Sequence, residues 1–107
     1  MTTSDFDNLI ATNCLTLSIF YATWCGACRV IEPTLERAAS AWGEGLSLVR
    51  IDIDERSTRE LVRRYNIVSV PTLILFNAGN ILWRESGVIP FERLSLALRS
   101  NHLAAEV

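Results

Sequence analysis

The chain has 107 residues, half of them hydrophobic, with 10 basic and 12 acidic side chains and three cysteines. That length and balance suit one globular domain over residues 1–107 with a modest core, and they exclude a disordered segment. A net charge of −2 leaves no electrostatic footprint for nucleic acid or an anionic membrane, and an odd cysteine count argues against a disulfide scaffold.

The basic residues are all arginine, which removes any lysine nucleophile. Met1 to Asp5 shows neither a basic leader nor a long apolar run, and no stretch is long enough to span a bilayer, so a cytoplasmic protein is expected. Asp5 to Thr12 reads as a short helix with Phe6, Leu9 and Ile10 on one face and Ser4 as its cap. Leu15 to Tyr21 is apolar throughout, as befits a strand covered on both faces. From Ala27, apolar residues recur at helical spacing through Ile31, Leu35, Ala38, Ala39 and Trp42. Pro33 should kink this helix, and Gly43 and Gly45 should end it.

Leu46 to Asp52 predicts a second strand, and Ser57-Thr58-Arg59-Glu60 is a capping-box sequence for a helix through Tyr65. Val70-Pro71-Thr72 leads into a strand over Leu73 to Asn77, and Ala78-Gly79-Asn80 turns the chain into another over Ile81 to Glu85. Pro90 opens a last amphipathic helix whose apolar side is Leu94, Leu96, Ala97, Leu98 and Leu103. A helix joins the first two strands, so they should be parallel; the last two should form a hairpin. The fold class is therefore α/β: a mixed four-stranded sheet with helices on both faces.

Trp24-Cys25-Gly26-Ala27-Cys28 stands where the first strand gives way to the second helix. A C-x-x-C there is the sequence form of a dithiol redox site. The first thiol sits against the unpaired N–H groups of the opening helical turn, which favour a thiolate. The second lies one turn on, close enough to close a disulfide.

Phe20 to Arg29, with Pro33, Arg50 to Asp54, Tyr65-Asn66-Ile67, Val70 to Phe76, Gly79 and Gly87, closely resembles the thioredoxin family from Phe6 to about Asn101. The resemblance implies thiol–disulfide exchange with protein disulfides, with Cys25 as the exposed attacking thiol and Cys28 as the more buried resolving one. It implies a cis bond before Pro71, facing the dithiol, and an apolar docking surface of Trp24, Gly26, Ala27, Val70, Gly87 and Val88. No cofactor beyond the Cys25–Cys28 disulfide is implied. The resemblance further implies disulfide-containing proteins and a thioredoxin reductase as partners, and a monomer is expected.

Three departures from that pattern matter. Ala27 stands where most of the family carries proline, and its additional N–H near the sulfurs favours a more oxidising couple. Ile19 replaces a buried aspartate and Arg50 replaces its lysine companion. No other carboxylate is obviously placed to substitute, Asp52 is the candidate partner for Arg50, and slower release of the mixed disulfide is expected. Met1 to Ser4 is too short for the family's first strand, so Leu46 to Asp52 should be a sheet edge guarded by Arg50 and Asp52.

Other chemistries fit less well. Zinc held by the two motif cysteines with Cys14 and His102 matches no familiar module, so no metal is expected. Cys14 reads as incidental, His102 as an exposed residue near a helix end, Trp42 and Trp83 as packing residues, and Arg59, Arg63 and Arg64 as a solvated face. The principal expectation is a general disulfide reductase. The alternatives are a specialised, more oxidising or partner-restricted relative and a non-catalytic adaptor, which the two intact cysteines disfavour.

Overall fold

A computed structural model describes residues 1–105. The expected elements are present in the expected order: α1 (Thr3–Ile10), β1 (Leu15–Tyr21), α2 (Gly26–Trp42), β2 (Leu46–Asp52), α3 (Arg59–Arg64), β3 (Thr72–Asn77), β4 (Asn80–Ser86) and α4 (Phe91–Ala105). The strands lie in the order β2-β1-β3-β4. β1 pairs with β2 in parallel and with β3 antiparallel, and β3 and β4 form the antiparallel hairpin. In this sheet β2 is an edge, as expected.

Side-chain alternation along β1 and β3 builds a core on each face of the sheet. Leu15, Leu17 and Ile19 of β1, with Leu73 and Leu75 of β3, meet Ile31 and Leu35 of α2 and Leu94 and Leu98 of α4. Phe20, Ile74 and Phe76 point the other way, onto Phe6 and Ile10 of α1 and Leu61 of α3. Leu103 supplies no test of the α4 pattern, because its side chain lies outside the described residues.

Local chemistry differs from expectation at several ends. Thr2, not Ser4, caps α1: its hydroxyl accepts from the Asp5 N–H while the Asp5 carboxylate accepts from the Thr2 N–H, a reciprocal capping box that starts the helix two residues early. The box expected at Ser57 does not form. A 3-10 turn over Arg56–Thr58 precedes α3, and the buried Thr58 hydroxyl donates to the carbonyls of Asp52 and Glu55 instead. Pro90 lies just before α4, where its carbonyl accepts from the N–H groups of Arg93 and Leu94. Pro33 lies inside a continuous α2, which Gly43 closes at a φ of 54°. The hairpin turn puts both Ala78 and Gly79 at positive φ, a geometry that matches the right-handed twist of paired strands.

Candidate active site

The end of β1 and the start of α2 position the two thiols. Cys25 is the residue that caps α2, with extended backbone angles, and its Sγ accepts a hydrogen bond from the Cys28 N–H at 3.2 Å. A helix N-terminus leaves such donors unpaired, so the sulfur takes the place a capping oxygen usually fills. The same Sγ donates to the Val70 carbonyl at 3.6 Å. Both cysteines are free thiols.

The expected contrast in exposure is absent. Cys25 is not the exposed thiol: it and Cys28 are each 7% accessible. The cap geometry explains this, because it folds the Cys25 side chain back over the helix end and under the Val70 loop. The two thiols differ instead in their partners. Burial, reinforced by the hydrogen bond to Cys25, pushes the Cys28 thiol up to about 11.

Some of the residues that the resemblance names lie around Cys25, and others lie beside those. The Val70–Pro71 bond is cis. Ala27 and Val70 pack against Ala22, Cys25 and Cys28. Pro71 is buried, and its carbonyl accepts from the Gly87 N–H at 2.9 Å. Gly87 holds a φ of 98°, which L side chains rarely adopt, and next to it Val88 is exposed. Trp24 is 67% exposed, and its indole N–H donates to Asp54 at 2.8 Å. Sequence reasoning missed Asp54, which accepts from the Trp24 indole.

Behind Cys28 the structure corrects two expectations. Ile19 is buried at the place expected, opposite Arg50 in the β1–β2 register. Arg50, however, pairs with Glu32 of α2 and not with Asp52. Its guanidinium contacts both Glu32 oxygens, the shortest contact being 2.5 Å, and this pairing raises its affinity for the proton. Asp52 accepts instead from the Asp54 N–H. A carboxylate is therefore placed near the second thiol after all. Ile19, Tyr21, Cys28, Arg29, Glu32 and Arg50 line one cavity of about 370 Å³. The signal was legible: Glu32 follows Cys28 by four residues, so the two share a helix face.

The remaining candidates lie elsewhere. Cys14 is exposed, with its thiol near the Glu44 carbonyl. His102 is half-buried, not exposed, with its ring edge-on to Trp42 at 5.2 Å. Among the described residues no group of three or more His, Cys, Asp or Glu side chains is arranged to hold a metal ion. The site can thus offer a dithiol, a neighbouring ion pair and an apolar rim, which suits exchange with another disulfide.

Comparison with known proteins agrees with this chemistry. Residues 1–100 match the family model described as Thioredoxin. The chain is 36% identical over 103 residues to thioredoxin from Staphylococcus epidermidis, covering 96% of this chain and 95% of that one. It is 37% identical over 84 residues, 78% of this chain, to the bifunctional thioredoxin reductase/thioredoxin of Mycobacterium leprae, matching 18% of that larger protein. The crystal structure of thioredoxin from Trypanosoma brucei brucei superposes with a TM-score of 0.83 at 27% identity, covering 92% of this chain and 84% of that one.

Proposed function

The chain belongs to the thioredoxin family and is a thiol–disulfide oxidoreductase that reduces protein disulfides, and from that premise we propose that Cys25 and Cys28 carry the exchange. The Cys25 thiolate attacks a substrate disulfide. A bond forms between Cys25 and one substrate sulfur, the substrate bond breaks, and the other sulfur leaves with the electron pair. Cys28 then attacks the Cys25 sulfur, closing the Cys25–Cys28 disulfide and expelling the second substrate thiolate. Two electrons and two protons pass to the substrate. No cofactor is required, since the dithiol itself is the reductant.

The observation that carries this assignment is the Cys28 N–H aimed at the Cys25 sulfur, a donor poised to stabilise the first thiolate. Trp24, Gly26, Ala27, Val70, Gly87 and Val88 supply the docking surface. Pro71 brings no N–H to the thiols, and an extended substrate segment pairs with the Val70 backbone. A thioredoxin reductase recharges the disulfide, a partnership supported by the fusion of the two activities in the Mycobacterium leprae relative. The protein works as a cytoplasmic monomer in cellular electron transfer. None of the described helices is long and apolar enough to cross a membrane.

The test is Cys28→Ser. This variant should trap disulfide-bearing proteins as mixed disulfides on Cys25, released by dithiothreitol, while the native protein with a thioredoxin reductase and NADPH reduces insulin. Trapping through Cys28 in a Cys25→Ser variant, with none through Cys25, refutes the assignment of roles.

A further inference from the structure

Resolution of the mixed disulfide requires Cys28 to lose its proton, and the site gives that proton a route. The cavity behind Cys28 has room for water, and although most of its wall is apolar, Thr23, Arg29, Glu32 and Arg50 bring polar groups to it. Among the described residues Glu32 is the one carboxylate lining it, on the same face of α2 as Cys28 and one turn on. The remaining charged and titratable groups around it are Arg50 on β2, Tyr21 on β1, and Arg29, Glu36 and Cys25 on or at the end of α2. Arg29 donates to the Thr23 carbonyl, and Glu36 acts on Arg50 only through its charge.

We propose that Glu32 is the proton relay of the resolving step, taking the Cys28 proton through water in this cavity while Arg50 holds the carboxylate in place. The inference rests on the exchange reading above. As the Cys28 sulfur attacks Cys25, its proton passes to Glu32. The Cys25–Cys28 bond forms, and the bond from Cys25 to the substrate breaks with its electron pair on the substrate sulfur. The substrate thiolate takes a proton from solvent, and Glu32 returns its own to solvent. The carboxylate missing at Ile19 on the strand is thus supplied from the helix, and Arg50 serves as a positioning residue for it.

The need is quantitative. Burial holds the Cys28 thiol near about 11, so at pH 7 only roughly one molecule in ten thousand carries that thiolate unaided. A carboxylate paired with a guanidinium is a weak base. Its contribution should therefore be about tenfold at pH 7, below the roughly 10²–10⁴-fold typical of general bases. A route through a carboxylate does not draw on free Cys28 thiolate and should be independent of pH across the neutral range, whereas the unaided route gains about tenfold per pH unit up to the thiol pKa.

Stopped-flow reaction with 5,5′-dithiobis(2-nitrobenzoate), carried out throughout in a Cys14→Ser background that removes the exposed third thiol, separates the steps. The first thionitrobenzoate released reports attack by Cys25, and the second reports resolution by Cys28. The wild-type second phase should be nearly flat from about pH 6 to pH 7.5. In Glu32→Gln it should be about tenfold slower at pH 7, rise about tenfold per pH unit and meet the wild type by about pH 9, with the first phase unchanged. Arg50→Lys should keep the flat profile. Four results would overturn the relay: a wild-type second phase that already climbs with pH, a Glu32→Gln defect of the same size at every pH, no defect at all, or an equal slowing of both phases. A wild-type protein that releases no second thionitrobenzoate overturns the exchange reading and the relay with it.

Discussion

The two faces of the sheet are built from the same strands and do different work. On the α1–α3 face, Phe6, Phe20, Tyr65 and Phe76 form an aromatic cluster with ring centroids 5.5 to 6.3 Å apart. On the α2–α4 face, the aliphatic core runs from Leu15 through Leu17 to Ile19 and stops, and past Ile19 come Cys28, Glu32 and Arg50. Ile19 and Phe20 are adjacent in the chain yet belong to different structures, because successive side chains of a strand point to opposite faces. One step along β1 separates the residue beneath the dithiol from a residue that only holds the fold. The lesson is that the chemistry sits where one hydrophobic core ends, not where both meet.

If that division is real, damage to the aromatic face should cost stability and spare the thiols. Phe20 is fully buried against Phe6 and Tyr65. Phe20→Ala should destabilise the protein by about 3–5 kcal/mol, through lost transfer energy and the cavity left behind. Denaturant unfolding of the reduced protein measures this. The Cys25–Cys28 reduction potential should not move, and a shift larger than about 10 mV would show that the two faces are coupled.

The converse change belongs at the dithiol. Ala27 is the second residue of α2, in the first turn, where proline is tolerated because its missing N–H has no helical partner. Ala27→Pro should therefore leave stability within about 0.5 kcal/mol. It should make the couple more reducing by about 30 mV, a tenfold change in the exchange constant, because it removes a donor from the neighbourhood of the sulfurs. Equilibration with glutathione reads the shift. A proline variant as oxidising as the native protein, or more so, removes Ala27 as a determinant of the potential.

Periodicity and turn chemistry made the fold legible, and the dithiol was plain because its residues are contiguous. Val70 and Pro71 are distant in the chain but were identified through the resemblance. The Glu32–Arg50 pair was hidden for a different reason. Arg50 offered Asp52 as a partner two residues away, but Asp52 is drawn off by the Asp54 N–H while Glu32 reaches Arg50 across from α2. Choosing between carboxylates required knowing how α2 lies over β2, which spacing alone does not carry. The cap of α1 failed similarly: Thr2 and Ser4 are both good caps, and only Thr2 gains the reciprocal bond from Asp5.

The smallest expected effect lies where the thiol corner does bear on stability. Cys28 is neutral in the fold because burial raises its proton affinity from an ordinary value of 9.0 to about 11. Unfolding returns it to water, where it ionises more readily. The sign follows from linkage: above pH 9 the unfolded chain sheds this proton while the folded chain keeps it, so ionisation favours unfolding. The contribution is fully present below about pH 9 and is lost as pH rises toward 11. The reduced native protein should lose stability across that window, and reduced Cys28→Ala should lose measurably less, with the two curves parallel below about pH 8. Equilibrium unfolding at stepped alkaline pH makes the comparison. Identical alkaline limbs would mean that Cys28 is no harder to ionise in the fold than in water, and the resolving step would then have no buried proton to move.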